Sequence, residues 1–371
     1  MKKFLSGIAR ALSVMTVCVL AGCSYAGDGG STPSGNGNQN PPSIDYGNTS
    51  DPQGTKVIAG WMDADGNIKI GSNAISKTSE VVAVPKGQQA AIAVSSSNES
   101  GILFTTRRKV KLSSFVMSQY PVTRALFKAV MGDTYFTNLG NQATANGIAD
   151  ENPVTMTNWF DAIIFCNKLS AMCGLEPVYS YQINGTAVTN PDQWITGLGS
   201  VPTDGDEQNY DTWKDGVTID LTKNGYRLPT ETEWEFCARG GDPNAEDWGY
   251  KYSGSNTVGE VAWYIANSGR SGTNIAGCMN KANRLGLYDM TGNVMEWCDD
   301  YSQLATVDDS IYTDSEGYVK DPLVVSADFA RVQLGGCWGD YVESCEVGSL
   351  YSYYPYYRDD FFGFRLVRSS N

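Results

Sequence analysis

Apolar positions change their spacing several times along the chain, and each change predicts a different element. After Pro121-Val122-Thr123, the residues Ala125, Leu126, Ala129 and Val130 fall at helical intervals until Gly132 stops the run. A second helix is predicted from Thr157, carrying Trp159, Ile163, Cys166 and Leu169 before Gly174. Residues 179–183, then Asn184-Gly185, then 186–189 read as a β-hairpin around a turn dipeptide. Thr230 and Glu233 after Pro229 form a capping box for a third helix, which Gly240-Gly241 ends. Upstream, residues 57–61, Asp65-Gly66 and 68–70 spell another hairpin with a type I′ turn, and 81–84 and 90–94 look like further short strands. Beyond Gly241 helical periodicity disappears and Gly, Asn, Asp and Trp abound. A few short helices followed by a long irregular β-rich half predict an α+β fold rather than a βαβ repeat.

The ends set the expected organisation. Lys2, Lys3 and Arg10 precede a short apolar run over 11–20. A run of about ten residues cannot cross a hydrocarbon core of about 30 Å as a helix, so it reads as a signal-peptide core. It ends in Leu20-Ala21-Gly22-Cys23, which resembles the lipobox of bacterial lipoproteins. The resemblance implies cleavage after residue 22, lipidation of Cys23 and a place in the cell envelope at the outer surface of a bacterium. Residues 23–54 are mostly Gly, Ser, Asn, Pro, Asp and Thr, a composition that cannot bury enough surface to order itself. This predicts a tether with a span of roughly 30 Å. Residues 55–104 are expected to form a small β element, and 105–371 the main domain.

Charge and composition exclude several functions. The formal charge is −14, and losing Lys2, Lys3 and Arg10 with the leader takes it to −17. Such an acidic body repels phosphate backbones, so nucleic acid is not an expected partner. Histidine is absent, which removes the usual general base and every Ser-His or Cys-His pairing. Of nine cysteines, Cys18 and Cys23 belong to the leader and lipobox. The remaining seven are an odd number without a CxxC pair, and read as small buried hydrophobes rather than a zinc ribbon.

Six segments occur together in a specific order. They are Tyr120-Pro121-Val122-Thr123; Asn152-Pro153-Val154 with Asp161-Ala162; the string from Gly225 through Arg227, Pro229 and Glu233 to Glu235; the string from Gly286 through Asp289, Gly292-Asn293 and Glu296 to Trp297; Gly335-Gly336-Cys337-Trp338; and Gly363-Phe364-Arg365. In this order they resemble the formylglycine-generating (sulfatase-modifying) enzyme family over roughly 105–368. That resemblance implies a variant of the C-type lectin fold. Independently of it, Gly292-Asn293 reads as a packed corner, and Arg227 and Arg365 as buried bridges to carboxylates.

The resemblance also implies two metal sites to weigh. Calcium would sit on Asp289 and Glu296 with the carbonyls of Gly292 and Val294, the alternative being that these carboxylates pair with arginines or cap turns. The family's second calcium site has no match near Trp263, and the Glu-Pro-Asn and Trp-Asn-Asp sugar-binding signatures are missing. Oxidase members of the family hold copper with two cysteine thiolates five residues apart. The corresponding positions are Asp340 and Cys345, and a carboxylate does not suit linear Cu(I) coordination. Oxidase chemistry is therefore not expected.

Between the last two motifs the alphabet changes. Asp340, Tyr341, Ser349, Leu350, Tyr351, Ser352, Tyr353, Tyr354, Tyr356, Tyr357, Asp359, Asp360, Phe361 and Phe362 mostly belong to the set reached from Asn codons by changing only adenines. This resembles the variable region of diversity-generating retroelement proteins, the treponemal variable lipoproteins above all, and places it at 331–368. Tyr, Ser, Asp and Gly also form a paratope-like mixture of rigid amphipathic rings and small polar adaptors. Two readings stand: an exposed binding surface, or a strand pair whose rings cover a core. The doublets Tyr353-Tyr354, Tyr356-Tyr357 and Phe361-Phe362 put rings on both faces of any strand, which favours the surface. The function expected is ligand binding at the cell surface, directed at a protein or glycan of host or other microbial cells. An oxidase relative and an envelope structural protein are the alternatives.

Overall fold

A computed structural model describes residues 89–91, 109–113, 115–140, 149–214, 216–242, 245–302, 318–325 and 330–369. The leader, Cys23, the tether and the hairpin of 57–70 lie outside the described residues, as does the strand expected at 81–84. Of the small β element, the described part is β1 (Gln89–Ala91), which pairs antiparallel with β2 (Lys109–Lys111).

The main domain opens with β3 (Phe115–Met117) and α1 (Arg124–Met131), whose N-cap Thr123 accepts from the Leu126 amide. Gly132 ends α1 at a φ of 85° and starts α2 (Asp133–Asn138). The long α3 (Trp159–Met172) begins at a reciprocal capping box between Asn158 and Asp161. Its side chains are buried around almost the whole circumference, because sheets and loops pack on every side. The hairpin β4 (Tyr179–Ile183) and β5 (Thr186–Val188) turns at Asn184 and Gly185, both at positive φ, as a type I′ turn requires.

Two helices here lack a clear apolar period in the sequence: α4 (Pro191–Leu198), started by Asn190 and Pro191, and α5 (Glu207–Trp213), capped by Asp206. They bury Trp194 and Trp213 against Tyr181 at ring distances of 5.0 and 5.4 Å. Then follow β6 (Val217–Ile219), β7 (Tyr226–Arg227) and α6 (Glu231–Ala238), with the Thr230–Glu233 box formed in both directions. Beyond α6 the described helices are single turns, among them α7 (Val258–Val261) and α8 (Ile265–Ser268). The remaining strands are β8 (Met295–Tyr301), β9 (Tyr318–Lys320), β10 (Arg331–Leu334), β11 (Leu350–Tyr353), β12 (Phe362–Gly363) and β13 (Val367–Ser369).

The strands form a four-stranded sheet β11-β10-β8-β12 and three sheets of three, β3-β13-β7, β5-β4-β6 and β1-β2-β9. Strand β8 is central and buried on both faces, and indole donors tie it to α3 and to the residues that lead into that helix. Trp159 Nε1 donates to the Cys298 carbonyl at 3.1 Å, and Trp297 Nε1 to that of Thr157 at 2.9 Å. The expected corner is formed at Gly292-Asn293. A Cβ on Gly292 would lie 2.5 Å from the Trp263 carbonyl oxygen, so only glycine fits. The Asn293 side chain accepts from the Asn274 amide and donates to its carbonyl. All seven described cysteines carry free thiols, and five of them are buried. Among the described residues no helix is long and apolar enough to cross a membrane.

Candidate ligand-binding surface

Gly335 and Gly336, both at positive φ, turn the chain out of β10 toward Trp338. Trp338 is pinned by its neighbours. Its amide donates to Asn293 O at 3.0 Å, its indole to Asp360 O at 3.1 Å, and its carbonyl accepts from Ser268 Oγ at 2.6 Å. Phe361 packs on the indole at 4.8 Å and fills the space beside Gly339, where a Cβ would lie 2.6 Å from that ring. These bonds clip the two flanks of the tyrosine-rich segment together at Trp338.

Strand β11 is an edge, paired on one side with β10. Its alternation puts Tyr351 and Tyr353 on one face and Leu350 and Ser352 on the other. Tyr351 donates to Ser344 Oγ at 2.6 Å. Tyr353 and Tyr357 stack with centroids 6.3 Å apart, and Tyr353 rests on Phe362 at 4.6 Å. Tyr354 and Tyr356 stack at 5.3 Å, and Tyr356 packs on Tyr210 of α5 at 4.6 Å. Tyr341 and Tyr354 are exposed at 61% and 39%, and Ser352 is also exposed. Asp340, Ser349, Leu350, Tyr351, Tyr353, Tyr356, Tyr357, Asp359, Asp360 and Phe361 are half-buried. Both sequence readings therefore hold a part: the rings place one edge on the core and leave the other to solvent.

One expected contact residue needs correcting. Phe362 is 1% exposed, packs on Trp297 at 5.5 Å and belongs to the core, because it enters β12 beside buried β8. Conversely, Arg358 was not expected to matter. Its guanidinium forms two bonds of 2.8 Å to Asp161, whose carboxylate also accepts from Tyr135 and from the Asn158 amide. Arg358 thereby pegs the segment to the start of α3, assisted by the Trp159 amide donating to Pro355 O at 3.0 Å. The signal was present in the sequence as a lone cation in a run of Tyr and Asp.

Acidic groups gather along the rim. Burial pushes Asp360 up to about 6, helped by a hydrogen bond and charge from Asp359. Burial also raises Asp340, whose Oδ2 accepts from the Cys337 amide at 2.9 Å. At the copper positions of the oxidases, then, one group is a carboxylate engaged in a loop cap. The other, Cys345, is a buried thiol whose ionisation burial opposes. This donor set does not fit the metal.

The calcium set does not fit either. Both Glu296 oxygens are taken: Arg365 donates to them at 2.6 and 2.8 Å, and Trp234 Nε1 adds a bond of 2.6 Å. Asp289 Oδ2 accepts from the Gly277 amide at 2.8 Å and from Asn293 Nδ2 at 3.2 Å. The carboxylates at Asp289 and Glu296 serve turns and an arginine, the other reading that the sequence left open for them.

A family model for the sulfatase-modifying factor enzyme 1-like domain matches residues 68–370. The chain belongs to that family. Among solved structures it is similar to variable protein 1 of Treponema denticola, with a TM-score of 0.58 at 32% identity, covering 76% of this chain and 94% of the other. The formylglycine-generating enzyme of Thermomonospora curvata is 27% identical over 238 residues, 62% of this chain and 72% of its own length. The chaperone protein LppX of Paenibacillus barcinonensis is 37% identical over 207 residues, 52% of this chain. The chain spans 64% of that relative's length. The proteins it resembles thus include both a formylglycine-generating enzyme and a variable protein, and the fold is the α+β C-type lectin-like one of this family.

Proposed function

We propose that this protein is a non-catalytic, lipid-anchored envelope protein that binds ligands through the side chains between Asp340 and Phe361. The observation that carries this reading is the contrast between frame and filling. Gly335, Gly336, Trp338, Gly363, Phe364 and Arg365 are buried and bonded into the fold. Between them, Tyr341, Ser352 and Tyr354 are exposed and most of the other rings, hydroxyls and carboxylates are half-buried, a paratope-like mixture that reaches solvent in part. Likeness to a variable protein supports the view that this filling is exchangeable, and Asp340 in place of a thiolate removes the basis for oxidase chemistry. Cys23 would carry the lipid and residues 24–54 would supply reach, so that the site addresses a protein or glycan on another cell.

Sequencing sister copies and the flanking DNA tests this. The expected result is substitution confined to codons of outward-facing residues such as Tyr341, Ser352 and Tyr354. A near-repeat bearing adenines at those codons should lie nearby. Copies invariant through this segment, with no such repeat, would remove the diversified-binder reading.

A further inference from the structure

The charges around the rings point to a class of partner. Segment 339–362 contains the acids Asp340, Glu343, Glu346, Asp359 and Asp360 and a single base, Arg358. Arg358 is spent on the buried Asp161, so it contributes no positive field at the surface. Glu346 meets Lys251 at 3.5 Å. No ion pair among the described residues engages Asp340, Glu343, Asp359 or Asp360. Arg239 lies beside Gly348 but is paired with Glu235, and Lys251 is paired with Glu346, so neither cation is matched to these four acids. The segment is therefore acidic on a body that is itself strongly acidic, with exposed Tyr341 between Asp340 and Glu343 in the chain and Tyr354 exposed further along it.

From this we infer that the surface recognises a cationic protein segment, one presenting lysine or arginine side chains to the tyrosine rings and rim carboxylates. The inference rests on the binding role proposed above and narrows it. Ring faces carry the negative end of the aromatic quadrupole, so a guanidinium or ammonium laid over Tyr341 or Tyr354 is attracted by ring and carboxylate together. Acidic peptides, sulfated or sialylated glycans and nucleic acids meet like charge on approach. Among the described strands β11 is the outermost of its sheet, and a strand edge suits a peptide partner more than a sugar.

The test is selection of a random short-peptide display library on the immobilised full chain at near-physiological salt. The selected peptides are expected to be rich in Lys and Arg and to lose binding to a Tyr341→Ser/Tyr354→Ser variant. Their affinity should fall about tenfold for Glu343→Gln/Asp359→Asn. It should barely change for Glu176→Gln/Asp192→Asn, which alters net charge equally through acids of other elements. Equal losses in the two charge variants would show attraction to the acidic body as a whole and overturn the inference. Neutral or acidic peptides that still depend on Tyr341 and Tyr354 would also overturn it, while leaving the binding surface in place. Failure to select any peptide dependent on those tyrosines would count against both.

Discussion

Glu296 and Arg365 face each other with both side chains wholly shielded from solvent, joined by Nε–Oε2 and Nη2–Oε1 bonds of 2.6 and 2.8 Å. The rest of the guanidinium is satisfied by the carbonyls of Ser118 and Tyr288 at 3.1 and 2.9 Å. Glu296 lies on the central strand β8 and Arg365 just after the tyrosine-rich segment. Their bridge fixes where that segment ends. A buried pair satisfied on all sides holds geometry, and losing one member strands the other charge.

Arg365→Met should accordingly destabilise the protein by about 3–5 kcal/mol, since Glu296 is left charged and buried. Adding Glu296→Gln should recover part of that loss, giving a non-additive cycle. Urea denaturation of the two single variants and the double variant measures it. A cost below about 1 kcal/mol for Arg365→Met would mean that the bridge does not anchor the frame.

Asp289 predicts a pH dependence of stability. Burial raises it from 3.8 to about 6, against the Gly277 and Asn293 bonds that favour the charged form. The folded protein therefore holds this proton more tightly than the unfolded chain. The group's contribution is most favourable below its unfolded value and is lost as pH rises from about 4 to about 6, by at most about 3 kcal/mol. Asn tolerates the positive φ of 54° at this position and can accept the same two bonds. Asp289→Asn should gain on the parent protein across that window and run parallel to it above. Urea titrations between pH 4 and 8 check the difference, and parallel curves throughout would contradict it.

Much of the frame was legible because its signals are local. The capping boxes at Thr230–Glu233, the Asn184-Gly185 turn and the α1 stop at Gly132 are set by neighbours in sequence. Burial of Arg227 and Arg365 against carboxylates was readable from charges inside apolar strings. Helices α2, α4 and α5 were not legible, since their periodicity is short; α4 and α5 are held by Trp194 and Trp213 docking on Tyr181, and α2 by Tyr135 and Phe136 packing on Phe127. In the surface segment, alternation could not show that Phe362 turns inward while Phe361 covers Trp338. That choice is made by pairing with β8, which no local pattern encodes. The roles of Arg358 and Tyr210 likewise depend on partners almost two hundred and about one hundred and fifty residues away.

Formylglycine-forming activity is expected to be absent. Asp340 caps the Cys337 amide and Cys345 is held as a buried thiol, so a pair of thiolates is not presented. A sulfatase-type cysteine peptide with Cu(I) and oxygen is the assay, run on the parent protein and on Asp340→Cys. Turnover by the parent protein would contradict the non-catalytic reading.

Cys23→Ala should move the protein from the detergent phase to the aqueous phase, because the tether that follows offers little apolar surface of its own to hold a membrane. Phase partitioning of the two full chains decides it. Equal partitioning of the variant and the parent would mean that Cys23 is not the anchor.

The most direct test of the frame-and-filling account is a displayed library of the full chain. Tyr341, Ser352, Tyr354, Tyr356 and Tyr357 are randomised together and members are sorted by resistance to protease. Half-buried rings cost less to replace than the about 3–5 kcal/mol of a fully buried aromatic, and the frame is held by separate bonds. The account predicts that most members keep the parent's resistance, while a parallel library at Trp338, Phe364 and Leu366 loses it. Resistance confined to members that retain tyrosine at these positions would show that the rings are core, and would contradict the account.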